Sequence, residues 1–161
     1  MADAQQIRHL VDYNQWADER IVAALDGVSA DDLARPREAY FGSIASNLLH
    51  TLNVQRLWLA RWKGVAPPAL GEPISTTWRD AFAASHRDLR DYIFPLSNAD
   101  LDRVVEGKDS RGNPYAMPLA RLVAHLVNHG TQHRAETGLL LERIGRSPGN
   151  LDYFYFVLER P

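Results

Sequence analysis

The fold of this chain is constrained most by four long segments whose apolar residues recur at helical spacing. In the first segment, Ile7, Val11 and Ile21 fall on one helical face. The predicted helices cover residues 4–26, 43–63, 76–94 and 119–144. Each is followed by a residue that often ends a helix, in order Gly27, Gly64, Pro95 and Gly145. The sequence therefore predicts an all-α fold.

The connections between these helices differ in length. The connection after the second helix contains Pro67, Pro68 and Pro73, and it is not helical throughout because proline breaks a helix interior. The polar connection at residues 29–36 has room for one short turn of helix. Four long helices with one long connection predict a four-helix bundle.

Two shorter stretches depart from the long helices. Residues 101–119 combine Val104 and Val105, which favour a strand, with a turn-rich stretch at 110–113. A small hairpin or an extended excursion is therefore expected before the last long helix, with Pro118 near the start of that helix. The apolar and aromatic tail at 150–161 is expected to pack back on the bundle as a short helix.

Length and composition describe one ordinary globular domain, predicted to span residues 1–161. A net charge of −2 does not favour a nucleic-acid partner. Without an apolar run of ~18 residues or a signal peptide, neither a membrane span nor secretion is expected. The chain has no cysteine, so disulfides, thiolate ligands and a cysteine nucleophile are excluded. A cytoplasmic location fits these features best.

Three histidines occupy nine residues in "HLVNHGTQH", at positions 125, 129 and 133. Residues four apart are neighbours on a helix, so an adjacent pair can face one ion. The outer two lie about 12 Å apart along the axis and do not easily share that ion. Two histidines at this spacing are more often ordinary polar residues than metal ligands. A metal site would need a third ligand from another helix.

Periodicity alone does not choose the third ligand, for which His9, His50 and His86 are candidates. His50 lies opposite the stripe formed by Ile44, Leu48 and Leu52, although its helix is apolar on more than one face. The sequence has no His-Glu-x-x-His or Glu-x-x-His motif, so zincin and ferritin-like di-iron sites are unsupported. It also has no phosphate-binding glycine loop.

Four blocks in order resemble the DinB/YfiT-like family of proposed metal-dependent enzymes. They are "YNQWADERI" at 13–21, "YFGSIASNLLHTLNVQRLWLARWKG" at 40–64, "DSRGNPYAMPLARLVAHLVNHGTQHRAE" at 109–136 and "LDYFYFV" at 151–157. The resemblance implies a four-helix bundle with a long crossover, assembled as a homodimer. It also implies a metal triad of one histidine from the second helix and the last His-x-x-x-His pair. These positions fall on His50, His129 and His133, which leaves His125 as a buried or outer polar group.

The resemblance also implies a function. Imidazole ligands suit a divalent ion, zinc or nickel before iron or manganese. The leading hypothesis is a thiol-dependent S-transferase that uses a low-molecular-weight thiol and a small-molecule substrate. The alternatives are a metal-dependent hydrolase and a non-catalytic metal-binding or small-molecule-binding dimer of the stress response.

The catalytic residues are not assigned by sequence, but Glu136 is one candidate. The family often continues its histidine pair as His-Arg-Gly-Gln, whereas this chain reads "HRAE" and places a carboxylate at 136. Glu136 could orient a histidine or act as a base; the favoured interpretation is an exposed residue paired with Arg134 or Arg143. Asn14 or Asp12 is a candidate to hydrogen-bond a ligand histidine.

Overall fold

A computed structural model describes residues 2–67, 69 and 77–160 of the chain. These residues are mostly helical, with one small two-stranded sheet. In chain order the elements are α1 (Ala4–Ala23), α2 (Ala30–Ala34), α3 (Ile44–Lys63), α4 (Trp78–Ile93), α5 (Asn98–Asp102), β1 (Val104–Lys108), β2 (Pro114–Pro118), α6 (Leu119–Glu142) and α7 (Tyr153–Glu159). The predicted breaks at Pro68 and Pro73 lie outside the described residues. None of the described helices is long and apolar enough to cross a membrane.

The ends of the long helices follow local capping chemistry. The Asp3 side chain accepts the amides of Gln5 and Gln6 at the start of α1, and the Ser43 side chain accepts the amide of Ser46 at the start of α3. Gly64 ends α3 in the left-handed conformation with φ 68°, which glycine adopts without a Cβ penalty. Gly27 has φ 78°, although α1 itself ends a turn earlier at Ala23. The predicted helices are therefore confirmed, with shorter ends.

The four long helices contact one another around a ring, α1 with α6 and α4, and α3 with α6 and α4. Their apolar faces form two main clusters. One cluster includes Ile7, Val11, Leu59, Leu89, Ile93, Leu122 and Leu126. The other includes Ile21, Leu48, Leu52, Phe82, Leu140 and Leu141. Along each long helix these two sets are separated by buried polar residues, so the core has a polar layer between two apolar ones.

The polar layer joins three of the helices through buried amides. Asn14 of α1 donates from Nδ2 to Oε1 of Gln55 on α3, at 2.9 Å. Gln55 in turn donates from Nε2 to Oγ of Ser85 on α4, at 2.8 Å. Each of these side chains is buried, so the folded protein would be less stable if any of them lacked its hydrogen-bond partner. The hydrogen bonds therefore fix how α1, α3 and α4 lie against each other.

A buried charge cluster brings α6 into the same layer. Arg134 donates from Nη1 to Oδ1 of Asn14 at 2.7 Å and to Oδ1 of Asp18 at 3.1 Å. Nε2 of His86 donates to the other oxygen of Asp18 at 2.9 Å. Burial alone would raise the pKa of Asp18, but the Arg134 charge and the His86 hydrogen bond hold it below its usual value. Asp18 is therefore a buried carboxylate that both partners keep ionised.

Gly130 makes room for this cluster inside α6. A Cβ at this position would lie 2.7 Å from Nη1 of Arg134 and 2.9 Å from Oδ1 of Asn14. Real Cβ atoms do not approach other heavy atoms so closely. The glycine between His129 and His133 is therefore explained by the packing of the polar layer.

The shorter elements lie at the edges of the helical core. β1 pairs antiparallel with β2, which confirms the hairpin predicted before α6. The structure adds α5, which the sequence pattern did not predict. The tail forms α7 and packs on α1 through Phe156, whose ring lies 5.7 Å from Tyr13 and 5.6 Å from Trp16. The prediction that the tail is a helix that packs back is confirmed, although Phe154 remains 62% exposed.

Candidate metal centre

Three imidazoles from two helices converge on one point. Nε2 of His129 lies 3.2 Å from Nε2 of His133 and 3.4 Å from Nε2 of His50. One ligand atom from each of the three rings lies within 4.8 Å of the others. His129 and His133 stand one turn apart on α6, and His50 faces them from the middle of α3. The pair and the third histidine named by the resemblance are thus brought together.

His50 reaches the pair because α3 is buried on more than one side. The stripe of Ile44, Leu48 and Leu52 enters the core, and Asn47 and Thr51, which adjoin this stripe on the side of His50, are also buried. This polar flank lies against α6, because Nδ2 of Asn47 donates to the His133 carbonyl and to Oε2 of Glu136. A helical wheel identifies the apolar stripe but not this second, polar contact.

The other candidate histidines lie away from the cluster. The ring of His9 packs against the rings of Tyr153 and Phe156. His86 is buried and bonded to Asp18 in the polar layer. Both positions are occupied by ordinary packing or hydrogen bonding within the described residues.

The donor set of the cluster fits a divalent ion. Two nitrogens bound at about 2.05 Å to a tetrahedral zinc ion lie about 3.3 Å apart, close to the observed 3.2 and 3.4 Å. A metal ion also needs neutral imidazoles. Burial, together with the charges of neighbouring histidines, lowers the pKa of His129 to about 4. Burial also lowers the pKa values of His50 and His133. The three histidines could therefore hold a metal ion.

Glu136 contacts this cluster, contrary to the favoured interpretation of an exposed residue paired with Arg134 or Arg143. Its side chain is only 24% exposed, and Oε2 lies 3.7 Å from Nδ1 of His133. Oε2 also accepts a hydrogen bond from Nδ2 of Asn47 at 3.0 Å, and Oε1 accepts the Tyr40 amide at 2.7 Å. Residues two apart on a helix face different sides, so Arg134 turns to Asp18 in the core instead.

Two further expectations about residues near the histidines are corrected, the first of them in part. His125 is exposed rather than buried, with its ring 5.5 Å from that of Trp58 and 6.0 Å from that of His129, so of its two expected roles only the outer polar group remains. Asn14 binds Gln55 and Arg134 in the polar layer, and Asp12 pairs with Arg90. Among the described residues, the carboxylate that pairs with a histidine of the cluster is that of Glu136.

The cluster forms one wall of an open cavity of about 570 Å³. The remaining lining comes from Tyr40, Phe41, Gln132 and Glu136. The Phe41 ring stacks on His50 with centroids 4.1 Å apart and lies 5.3 Å from the His133 ring. The two aromatic residues belong to the connection just before α3, and sequence reasoning missed them. The local signal in the sequence is that two adjacent aromatic residues precede Gly42, just before the start of α3.

Fold and site together define a mostly helical protein with a three-histidine cluster that could hold a metal ion. The chain belongs to the DinB family, whose model matches residues 1–159. It is 23% identical to the protein DinB of Bacillus subtilis (strain 168) over 153 residues, which is 89% of this chain and 89% of that protein. A solved DinB-like protein from Bacillus cereus shares the fold with a TM-score of 0.57 at 18% identity, covering 84% of this chain and 90% of the other.

Proposed function

We propose that this chain is a divalent-metal-dependent enzyme in which His50, His129 and His133 hold the ion. The observation that carries the proposal is the convergence of three imidazole nitrogens at the wall of an open cavity. Three neutral imidazoles would leave a divalent ion its full charge, which lowers the pKa of a bound water or thiol. Zinc or nickel suits this donor set best, and iron or manganese suits it less well.

The reaction we propose is thiol-dependent S-transfer with a low-molecular-weight thiol as cosubstrate. This choice follows the family resemblance and one feature of the cavity. Both oxygens of Glu136 already accept hydrogen bonds, from the Tyr40 amide and from Asn47. Because these hydrogen bonds tie the carboxylate to the loop before α3 and to α3 itself, we propose a nucleophile that the ion activates directly. A thiol activated by an ion is such a nucleophile.

The assembly and architecture we propose follow the same resemblance. We propose one domain over residues 1–161, arranged as a four-helix bundle whose long crossover follows α3. The ring of contacts among α1, α6, α3 and α4 supports this arrangement. We also propose a homodimer, which would cover apolar side chains of α7 such as Phe154 and Leu158 that one chain leaves exposed. The cytoplasmic location stays a prediction.

Turnover assays on the metal-loaded protein distinguish the candidate reactions. Protein loaded with zinc or with nickel is incubated with a panel of small thiols plus electrophiles, and separately with esters and amides. Conjugation that needs both the thiol and the ion, and that His129→Ala abolishes, is the expected result. Ester or amide cleavage without thiol would identify a hydrolase. Tight metal binding without any turnover would identify a binding protein.

A further inference from the structure

One loop beside the three-histidine cluster closes mainly on itself. In residues 37–42 the Arg37 amide donates to the Gly42 carbonyl at 2.7 Å, and the Gly42 amide donates to the Ala39 carbonyl at 3.0 Å. Gly42 has φ 77°, a conformation that L side chains rarely adopt. This 37–42 loop therefore has a defined local shape, and its tip is free to be placed by a contact from elsewhere.

Glu136 supplies that contact. Its Oε1 accepts the Tyr40 amide at 2.7 Å, across 96 residues of chain, while its Oε2 accepts Nδ2 of the fully buried Asn47. Hydrogen bonds to an ionised acceptor are about twice as strong as neutral ones. The carboxylate thus connects the tip of the loop to α6 and α3, beside the histidines. Next to Tyr40 in this loop, the Phe41 ring stacks on His50.

We propose that Glu136 is a positioning residue that holds the 37–42 loop against the three-histidine cluster, so that Phe41 and Tyr40 form an aromatic wall. That wall makes the cavity selective for ligands with an aromatic group close to the atom that meets the ion. The inference about selectivity rests on the proposed metal site; the inference about the loop stands without it. Tyr40 is 86% exposed, so its ring is free to contact a ligand at the mouth of the cavity.

Hydrogen exchange of the Tyr40 amide in the metal-free protein tests the loop. The Glu136→Ala variant removes the acceptor of that amide, so its exchange should quicken by about tenfold or more relative to wild type. Tryptic cleavage after Arg37 should quicken as well. The matched control is Glu142→Ala on the same helix, because Glu142 is exposed and bonded to Ser147. General destabilisation would instead quicken the slowest amides of all long helices together.

The conservative variant Glu136→Gln should restore most of the wild-type behaviour. Its amide oxygen can accept the Tyr40 amide. Oδ1 of Asn47 has no hydrogen-bond partner among the described residues. If the Asn47 amide flips, this oxygen can accept a hydrogen bond from Nε2 of the new glutamine. Slow Tyr40 exchange in Glu136→Gln with fast exchange in Glu136→Ala is expected. Equal, wild-type exchange in both variants overturns the inference.

Thiol binding to cobalt-loaded protein tests the aromatic wall. Thiolate-to-cobalt absorption gives the dissociation constants of benzyl mercaptan and 2-mercaptoethanol for each variant. Wild type and Glu136→Gln should prefer benzyl mercaptan by about tenfold, and Glu136→Ala should lose most of that preference. The ratio of the two dissociation constants is insensitive to a general weakening of the metal site, because such weakening affects both thiols alike. An unchanged ratio of the two dissociation constants in Glu136→Ala overturns the inference that the aromatic wall sets selectivity. Failure of wild type to bind cobalt overturns the proposed function, but it does not affect the test of the loop by Tyr40 amide exchange.

Discussion

Replacement of Gly130 by alanine should destabilise the protein, although alanine is the better helix former. The extra methyl gains about 1 kcal/mol in helix propensity. It must also displace Nη1 of Arg134 and Oδ1 of Asn14, which would lie 2.7 and 2.9 Å from the new Cβ. Hydrogen bonds to charged groups contribute about 1.5–3 kcal/mol each, and Nη1 of Arg134 makes two, to Asn14 and to Asp18. We expect a net loss of about 1–3 kcal/mol, because the guanidinium can relax only partly.

Gly138→Ala is the matched control for this prediction, because it adds the same methyl to the same helix. Its Cβ would meet only Cγ of Pro148 at 3.4 Å, an ordinary contact. This variant should be neutral or up to about 1 kcal/mol more stable. Urea unfolding of both variants in the presence of a chelator measures the free energies without any metal contribution. If Gly130→Ala is as stable as Gly138→Ala, the steric role of Gly130 is refuted.

Three further predictions follow from the same structure. Asp18→Asn should cost about 3 kcal/mol in urea unfolding, since it leaves Arg134 buried without a counter-charge. Because the folded pKa of Asp18 lies below its unfolded value, the stability it contributes is complete above about pH 4 and is lost as pH falls through the folded pKa. The variant's stability should therefore fall less steeply with acid, and a parallel fall would contradict this. Phe156→Ala should cost about 3 kcal/mol, since that ring is 1% exposed, while Phe154→Ala should cost little. His125→Ala should weaken metal binding, measured by chelator competition, by far less than the ~10–100-fold typical when a residue that hydrogen-bonds a metal ligand is lost. A loss in that range would show that His125 supports the metal ligands.

The long helices could be predicted from the sequence because their signals are local. Apolar spacing set the core faces, and Gly64 fixed the end of α3 through a conformation that glycine favours. The five-residue α5 was missed because it is too short for periodicity, although Ser97 and Asp100 form a capping box that marks its start.

The candidate site could be predicted only in part, because its contacts join distant parts of the chain. His129 and His133 share a helix face, so their spacing is visible locally. His50 came from the family resemblance, since α3 packs on two sides and a helical wheel shows one. The contacts of Glu136 to Tyr40 and Asn47 cross 96 and 89 residues. No periodic pattern carries such a pairing, and the role of the carboxylate had to be read from the structure.

The metal content of the purified chain tests most directly whether the three histidines form a metal site. Wild type and the variants His50→Ala, His129→Ala and His133→Ala are dialysed against zinc or nickel and analysed for bound metal by elemental analysis. We predict a single tightly held ion per wild-type chain and its loss in each variant, with helical content unchanged by circular dichroism. Wild type that holds no ion, or a His129→Ala variant that holds it as tightly as wild type, would contradict the metal site.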